Sequence, residues 1–155
     1  MSVVKLRMKE HLWDELIREL HFRGNEELES GAFLLGDANA EEITHVLYYD
    51  DLDRNSLRPG HIILSNTAYV KLWEYCRLHE VRVLADVHTH PEAWTGQSIV
   101  DKANPMIPNA GHIALIIPCY SKRKKQKLRG VGMFEYMGSL KWKNRIRQKI
   151  FELIQ

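Results

Sequence analysis

The sequence has little of what a disulfide-rich or membrane-bound protein requires. Its 155 residues include only two cysteines, Cys76 and Cys119, and these do not form a C-x-x-C pair, which favours two reduced thiols over a disulfide framework. No apolar run approaches the roughly 20 residues needed to span a bilayer. The N-terminus lacks the apolar segment of a signal peptide. We therefore expect a cytoplasmic protein with no membrane partner.

An excess of one charge is also missing. The 22 lysines and arginines nearly balance the 20 aspartates and glutamates, for a formal net charge of +2, whereas dedicated nucleic-acid-binding domains usually carry a larger basic excess. Basic residues are dense only at 122–127. Such a run is able to bind phosphate or an acidic partner, but it contains no interleaved aromatics. We interpret 122–127 as a solvated turn between two strands and expect no nucleic-acid partner.

The residues that are present predict one globular domain over 1–155. Hydrophobic residues make up 45% and charged residues 27% of the chain, as in ordinary folded domains. Apolar spacing predicts helices at 9–22, 67–79 and 141–154. Short apolar or β-rich segments predict strands at 3–8, 31–36, 43–50, 61–65, 81–90, 112–120 and 128–136. Because helices and strands interleave, the fold class is α/β or α+β.

Two of these helices carry expectations about burial. The helix at 67–79, capped by Ser65 or Asn66, should turn inward the residues Ala68, Val70, Leu72, Trp73 and Cys76. The helix at 141–154 should turn inward Trp142, Ile146, Ile150, Phe151 and Ile154. Between them, 92–110 is expected to be irregular, with one or two helical turns at most.

The segment 86–91, D-V-H-T-H-P, carries the first candidate metal ligands. Residues two apart on a strand face the same side, so His88 and His90 project together. An H-x-H pair alone is a weak signal, and a structural role is the more common interpretation. Ser98 follows His90 after seven residues and begins a Ser-x-x-Asp pattern ending at Asp101, which alone is equally typical of a helix N-terminus. Together, two imidazoles and one carboxylate make a ligand set typical of catalytic zinc.

A hydrolytic zinc site also benefits from a group that moves protons. Glu29 immediately precedes the apolar segment 31–36, where partial desolvation would raise the pKa of its carboxyl group. The alternative is that Glu26, Glu27 and Glu29 form a solvated acidic face, as most such runs do.

These pieces, in their order and spacing, resemble the JAMM signature of the JAB/MPN metalloproteases. The pieces are Glu29, the H-T-H-P of 88–91, and Ser98 with Asp101; the E-x-x-x-x-L-L-G of 29–36 is similar to the family as well. The resemblance covers almost the whole chain. It implies a single JAB/MPN domain with a mixed, curved β-sheet flanked by helices, in a layout like that of cytidine deaminases.

The resemblance also implies roles for individual residues. His88, His90 and Asp101 would bind one Zn²⁺ per chain. Glu29 would act first as general base and then as general acid. Ser98 would donate a hydrogen bond to the oxyanion of the tetrahedral intermediate.

The activity that the resemblance implies is hydrolysis of a peptide or isopeptide bond after the C-terminal glycine of a ubiquitin-like protein. The compact chain is most similar to bacterial stand-alone peptidases encoded beside E1-like and E2-like enzymes in antiphage operons, of CBASS-associated or Bil type. A ubiquitin-like protein or its conjugates, together with such enzymes, are therefore the expected partners. Two other functions stay open: a non-catalytic MPN-type scaffold, and a metal-dependent nuclease or phosphodiesterase that uses the basic segment.

Two further residues near the motif each have two expected roles. Asp86 stands where many relatives carry an apolar or aromatic residue, on the face of His88 and His90. It is expected either to accept a hydrogen bond from one of those imidazoles or to compete as a ligand. Trp94, in the following loop, either faces substrate or packs on the core. The remaining histidines are interpreted as structural or surface residues: His11, His21, His45, His61, His79 and His112.

Overall fold

A computed structural model describes residues 5–146 and 148–155. Within those residues lie four α-helices: α1 (Glu10–Gly24), α2 (Tyr49–Leu52), α3 (Asn66–His79) and α4 (Ile99–Ala103). The same residues form eleven strands: β1 (Leu6–Lys9), β2 (Gly31–Asp37), β3 (Glu42–Ile43), β4 (His45–Tyr48), β5 (Leu57–Arg58), β6 (His61–Ile62), β7 (Val81–Thr89), β8 (Ile113–Ile117), β9 (Gly132–Gly138), β10 (Lys141–Asn144) and β11 (Phe151–Ile154). The class is mixed α+β. No described helix combines the length and the apolar character needed to cross a membrane.

A six-stranded sheet forms the centre of the molecule, in the order β10-β9-β8-β7-β2-β4. Only β7 and β8 run parallel, and every other neighbouring pair in this sheet is antiparallel. A smaller parallel sheet has the order β11-β1-β3, and β5 and β6 form a separate hairpin. Strand β7 is therefore an interior strand, with a neighbour on each side.

Each face of the central sheet is covered by its own apolar cluster. On one face, α1 packs with Ala85 and Val87 of β7. On the other face, α3 packs with Phe33 of β2. Because side chains alternate along a strand, Asp86 and His88 point to the α3 side. The metal motif thus lies on the face where β2 and β7 meet α3, at the C-terminal end of β7.

The predicted helix at 141–154 is wrong. Gly138, Ser139 and Leu140 all have positive φ values, 91°, 52° and 58°, and they turn the chain so that β10 pairs with β9. Farther on, β11 pairs in parallel with β1, with Phe151 opposite Leu6. The spacing of the apolar residues suits a helix, but their partners are strands elsewhere in the chain, and such tertiary pairing overrides local preference.

The predicted inward side of α3 is correct only in part. Ser65 caps the helix by accepting a hydrogen bond from the backbone N–H of Ala68 at 3.2 Å. Ala68 and Leu72 are buried, but Val70 is 63% and Trp73 48% exposed. Val70 lies two residues from Ala68, about 200° around a helix, so the two cannot share one side.

The two loop segments at 92–110 and 122–127 agree with the sequence-based predictions more closely than the helices do. The segment 92–110 contains one short helix, α4. Lysines and arginines at 122–125 are exposed, as expected of a solvated turn. The turn is nevertheless tied to α1, because the indole N–H of Trp13 donates to the carbonyl oxygen of Gln126 at 2.9 Å.

Candidate metal centre

Three side chains with potential ligand atoms converge at the end of β7. The Nε2 atoms of His88 and His90 lie 3.1 Å apart. The carboxylate of Asp101 meets both rings, with Oδ1 3.3 Å from Nε2 of His88 and Oδ2 3.1 Å from Nε2 of His90. Both histidines are buried. Among the described residues, these three form the one His, Cys, Asp or Glu group compact enough to hold a metal ion.

The strand and the helix that carry the ligands are each held by local hydrogen bonds. Thr89, between the two histidines, accepts from the N–H of Ser30 at 3.0 Å and donates its own N–H to the Ser30 carbonyl at 2.9 Å. At α4, the Ser98 hydroxyl accepts from the Asp101 N–H while Asp101 Oδ2 accepts from the Ser98 N–H. The Ser-x-x-Asp pattern is therefore a helix cap, and its carboxylate also meets the histidines.

The separations between the donor atoms suit a tetrahedral metal ion. Zinc–nitrogen and zinc–oxygen bonds of about 2.0–2.1 Å place neighbouring ligand atoms roughly 3.3 Å apart in a tetrahedron. The two imidazole nitrogens lie 3.1 Å apart, and each meets a different oxygen of Asp101, at 3.3 Å from His88 and 3.1 Å from His90; these contacts are close to this value. Two imidazole nitrogens and a carboxylate oxygen also match the donors that zinc accepts.

Electrostatics couple the three groups tightly. Burial alone would lower the pKa of His88, but the hydrogen bond and charge of Asp101, helped by Asp86 and Glu29, outweigh burial and raise it. Burial alone would raise the pKa of Asp101, but its contacts with His88 and His90 hold that pKa well below its usual range. The site therefore favours an anionic carboxylate between two imidazoles.

Glu29 shares the cavity with these ligands. It is half-buried, whereas Glu26 and Glu27 are exposed, and Glu26 pairs with His21 at 3.0 Å. Burial raises the pKa of the Glu29 carboxyl, although the nearby imidazoles of His88 and His90 offset part of the rise. The acidic run is thus divided: two members face solvent, and Glu29 lies beside the ligand set.

The backbone next to Glu29 is held firmly against β7. Gly31 lies opposite His88 in the antiparallel register of β2 and β7. Ser30, which lies between Glu29 and Gly31 in sequence, bonds to Thr89 through its backbone. The hydroxyl of Ser30 donates to the carbonyl of Leu20 at 2.6 Å. Glu29, two residues before β2, is therefore held at a fixed position beside the ligand strand.

A cavity of about 200 Å³ opens in front of the ligands. Its walls come from the β5–β6 hairpin, β7, the segment 97–106, β8 and β10. The cavity is lined by Glu29, Gly60, His61, Ile62, Asp86, His88, Gln97, Ser98, Val100, Asp101, Asn104, Pro105, Met106, Ala114 and Trp142. The proposed base, the Ser98 side chain and two of the three ligands therefore face one space that a substrate can enter.

The fold recurs in solved structures. A protein of Desulfitobacterium hafniense, known from its solution structure, matches with a TM-score of 0.70 at 16% identity, over 97% of this chain and 93% of that chain. A Salinibacter ruber protein matches with a TM-score of 0.57 at 13% identity, over 90% and 88% of the two chains. At such identities the likeness concerns the fold alone. A comparison of the sequence with models of known protein families finds no match.

Asp86 has a different partner from the one expected. Its Oδ2 accepts a hydrogen bond from Nε2 of His112 at 2.6 Å, and both side chains are buried. In the described residues, Asp86 makes no hydrogen bond to His88 or His90, and it does not belong to the compact ligand group. Both expectations for Asp86, as the acceptor for a ligand imidazole and as a competing ligand, are therefore corrected.

Trp94 lies at the rim of the site. Its ring stacks on that of His90 at 5.7 Å between centroids and is 58% exposed. It does not line the cavity described above. Trp94 is therefore not buried in the core, and its contact with substrate stays a prediction.

Two polar or aromatic residues that line the cavity, and one histidine bonded to its wall, were not predicted as site residues from the sequence. His61 lies on the β5–β6 hairpin, and Trp142 lies on β10, where its indole N–H donates to the carbonyl of Lys102 at 3.1 Å. His112 lies behind the cavity, bonded to Asp86. The sequence offers a signal only for His112, which is two residues before Ala114, the partner of Asp86 on β8. That signal predicts the contact with Asp86 only once β7 and β8 are known to be parallel neighbours.

Proposed function

We propose that the chain is a zinc-dependent peptidase or isopeptidase of the JAB/JAMM type, folded as a single JAB/MPN domain. Its substrate would be a ubiquitin-like protein or its conjugates, cut after the C-terminal glycine, with E1-like and E2-like enzymes as associated partners. The observation that carries the proposal is the ligand group His88, His90 and Asp101 with Glu29 beside it in one cavity.

Bound zinc would supply Lewis acidity to the scissile carbonyl and to a water molecule. Glu29 would take a proton from that water as its oxygen attacks the carbonyl carbon. The carbon–nitrogen bond then breaks, and Glu29 passes the proton to the departing nitrogen. The second proton of the water leaves the new carboxyl group and protonates the released amine, so the products are a carboxylate and an ammonium group and the charges balance. The raised pKa of Glu29 suits a group that must both accept and release a proton.

Ser98 is suited to assist at the carbonyl oxygen. Its hydroxyl oxygen already accepts the N–H of Asp101 at 3.0 Å, which fixes the side chain in place. The hydroxyl hydrogen is left to donate, and Ser98 lines the cavity. A donor held in advance near the developing negative charge stabilises the transition state without reorganisation.

The cavity lining argues against the nuclease alternative. Of the residues at 5–146 and 148–155, it contains the carboxylates Glu29, Asp86 and Asp101 but no lysine or arginine, whereas phosphodiester substrates are usually bound by cations. The basic turn at 122–127 packs instead on α1, through Gln126 and Trp13. A scaffold without activity remains the alternative that the experiment must test.

The test joins metal content to hydrolysis. Chelator-free protein should contain about one zinc per chain by elemental analysis. The zinc-loaded protein should cleave a ubiquitin-like protein fused through its terminal glycine to a reporter, and it should leave an oligonucleotide intact. Zinc binding without cleavage of any ubiquitin-like fusion would favour the scaffold, and cleavage of the oligonucleotide would favour the nuclease.

A further inference from the structure

Asp86 is a buried carboxylate with one oxygen unused. Its side chain is only 3% exposed. Oδ2 accepts from His112, and Oδ1 has no hydrogen-bond partner among the described residues. The fully enclosed side-chain atoms that lack a partner there belong to Arg23, Tyr49, Ser56 and Gln126. Oδ1 of Asp86 therefore keeps access to the cavity that Asp86 lines.

The fold leaves room in front of this oxygen. The neighbour of Asp86 on β8 is Ala114, whose side chain is a single methyl group. His112 lies two residues before Ala114 and on the same face, and its side chain is fixed by its hydrogen bond to Asp86. Both Asp86 and Ala114 line the cavity, so the small side chain of Ala114 creates space directly beside the free carboxylate oxygen.

The rest of the cavity suits a long side chain with a positive end. Its apolar walls come from Ile62, Val100, Met106 and Trp142, which are able to cover the methylene groups of a lysine or arginine while the charged end reaches a polar partner. Among the residues that the structure describes, no lysine or arginine lines the cavity, so none of these residues competes for that partner.

We propose that Asp86 forms the floor of a subsite that binds the basic side chain of a substrate residue within about two positions of the scissile bond, with Oδ1 as the acceptor. The subsite rests on the proposed peptidase function, since that function places a peptide in the cavity. His112 acts through Asp86 as a positioning residue: by bonding Oδ2, it orients Oδ1 toward the substrate. A charge-assisted hydrogen bond in so buried a place discriminates strongly between lysine and a neutral side chain.

Strand geometry indicates which substrate residue is recognised. Asp86 and His88 are two residues apart on one face of β7, so their Cα atoms are separated by roughly 6.5–7 Å. One residue of an extended peptide spans about 3.3–3.6 Å. The separation thus corresponds to about two residues, so a side chain that reaches Asp86 while the scissile bond lies at the ligands belongs to a residue within about two positions of that bond.

Binding can be measured without turnover. We would use zinc-loaded Glu29→Gln protein labelled with ¹⁵N, and titrate it with short peptides that carry lysine or norleucine within about two positions of a glycyl bond, on either side. Norleucine keeps the stem of lysine and removes the charge. At one of these positions, lysine should bind roughly ten- to a hundredfold more tightly than norleucine. The preference should vanish when Asp86→Asn is added, because the amide oxygen still accepts from His112 while its NH₂ group faces the cation.

Three comparisons make the result decisive. Glu74→Gln, on the exposed side of α3, is the matched control and should keep the preference. Ala114→Val should reduce it by filling the space beside Oδ1, which provides a second variant if Asp86→Asn does not fold. Equal binding of lysine and norleucine peptides by the parent protein would overturn the proposal. A preference that survives in folded Asp86→Asn would overturn it too, since an acceptor other than Asp86 would then bind the lysine.

The same experiment separates the two proposals. If the lysine preference depends on Asp86 but wild-type zinc-loaded protein cleaves no fusion, the peptidase is wrong, and Asp86 binds basic side chains of a peptide ligand that is not cut. If fusions are cleaved with no preference for a basic neighbour, the peptidase stands and the subsite is wrong.

Discussion

Nδ1 of His90 lies 3.1 Å from the carbonyl oxygen of Trp94. A carbonyl oxygen only accepts, so Nδ1 carries the hydrogen and donates it. In a neutral ring this leaves the lone pair on Nε2, and Nε2 is the atom that faces His88 and Asp101. The loop carbonyl thus selects the tautomer that binds a metal, as outer hydrogen bonds to ligand histidines generally do.

The first prediction follows from this ligand geometry. His88→Ala and His90→Ala should each lower zinc occupancy strongly, because a three-ligand site loses one of its donors. The apoprotein should stay folded, since both apolar clusters are built without the site. Elemental analysis and far-UV circular dichroism measure the two effects. His79→Ala, on the exposed end of α3, is the control, and full zinc occupancy in both ligand variants would refute the assignment.

The second prediction concerns Glu29. Glu29→Gln should keep zinc and lose turnover by about 10²–10⁴-fold, the usual contribution of a positioned proton carrier. Glu27→Gln is the matched control because Glu27 is two residues away and exposed. The prediction is checked by measuring the hydrolysis rate and the zinc content of both variants. An active Glu29→Gln beside an inactive Glu27→Gln would mean that the other carboxylate moves the proton.

The third prediction concerns stability and pH in the apoprotein. Burial raises the pKa of Glu29 in the folded state, so the native protein retains this proton at pH values where the unfolded chain has released it. The free energy of unfolding therefore falls as pH rises from the usual glutamate pKa, about 4.3, to the raised native value. In Glu29→Gln the titrating carboxyl group is absent, so this dependence of stability on pH is removed.

The variant should therefore gain stability relative to wild type as pH rises through that window. Urea unfolding of chelator-treated proteins at several pH values measures the difference between them. Glu27→Gln controls for the loss of one negative charge. A difference between Glu29→Gln and wild type that stays constant with pH would contradict the assignment of a raised pKa to Glu29.

The ligand set was predictable because its geometry is local. The H-x-H spacing needs only the assumption of a strand, and the Ser-x-x-Asp pattern needs only one helical turn. Both elements are present in the structure, and they bring His88, His90 and Asp101 together. No local pattern predicts that α4 lies close to β7. That proximity was expected only from the spacing of the whole motif, which resembles that of a known family.

The errors lie where partners are distant in sequence. Phe151 pairs with Leu6 across nearly the whole chain, and nothing near Phe151 indicates that pairing. The bond between Asp86 and His112 needs the parallel register of β7 and β8. Trp142 reaches the cavity only because β10 folds back on β9. Helical spacing of apolar residues was therefore a sound guide for α1 but a misleading one at the C-terminus, where strand pairing determines the structure.

The last prediction tests how Glu29 is positioned. A methyl group on Gly31 would meet Cε2 of Tyr49 at 2.4 Å and the carbonyl oxygen of Val87 at 2.6 Å. Tyr49 is fully buried and Val87 belongs to the ligand strand, so neither yields easily. Gly31→Ala should cost about 1–3 kcal/mol of unfolding free energy, as overpacked cores do.

Gly31→Ala should also lower turnover by more than its stability loss explains, because the displaced strand carries Glu29 away from the ligands. Denaturant unfolding and hydrolysis at a temperature where the variant is fully folded separate these effects. Gly24→Ala is the matched control, since a methyl group there meets Ser30 at an ordinary 3.6 Å, and it should retain wild-type turnover. A Gly31→Ala protein as stable and as active as wild type would show that the close contact between β2 and β7 does not position Glu29.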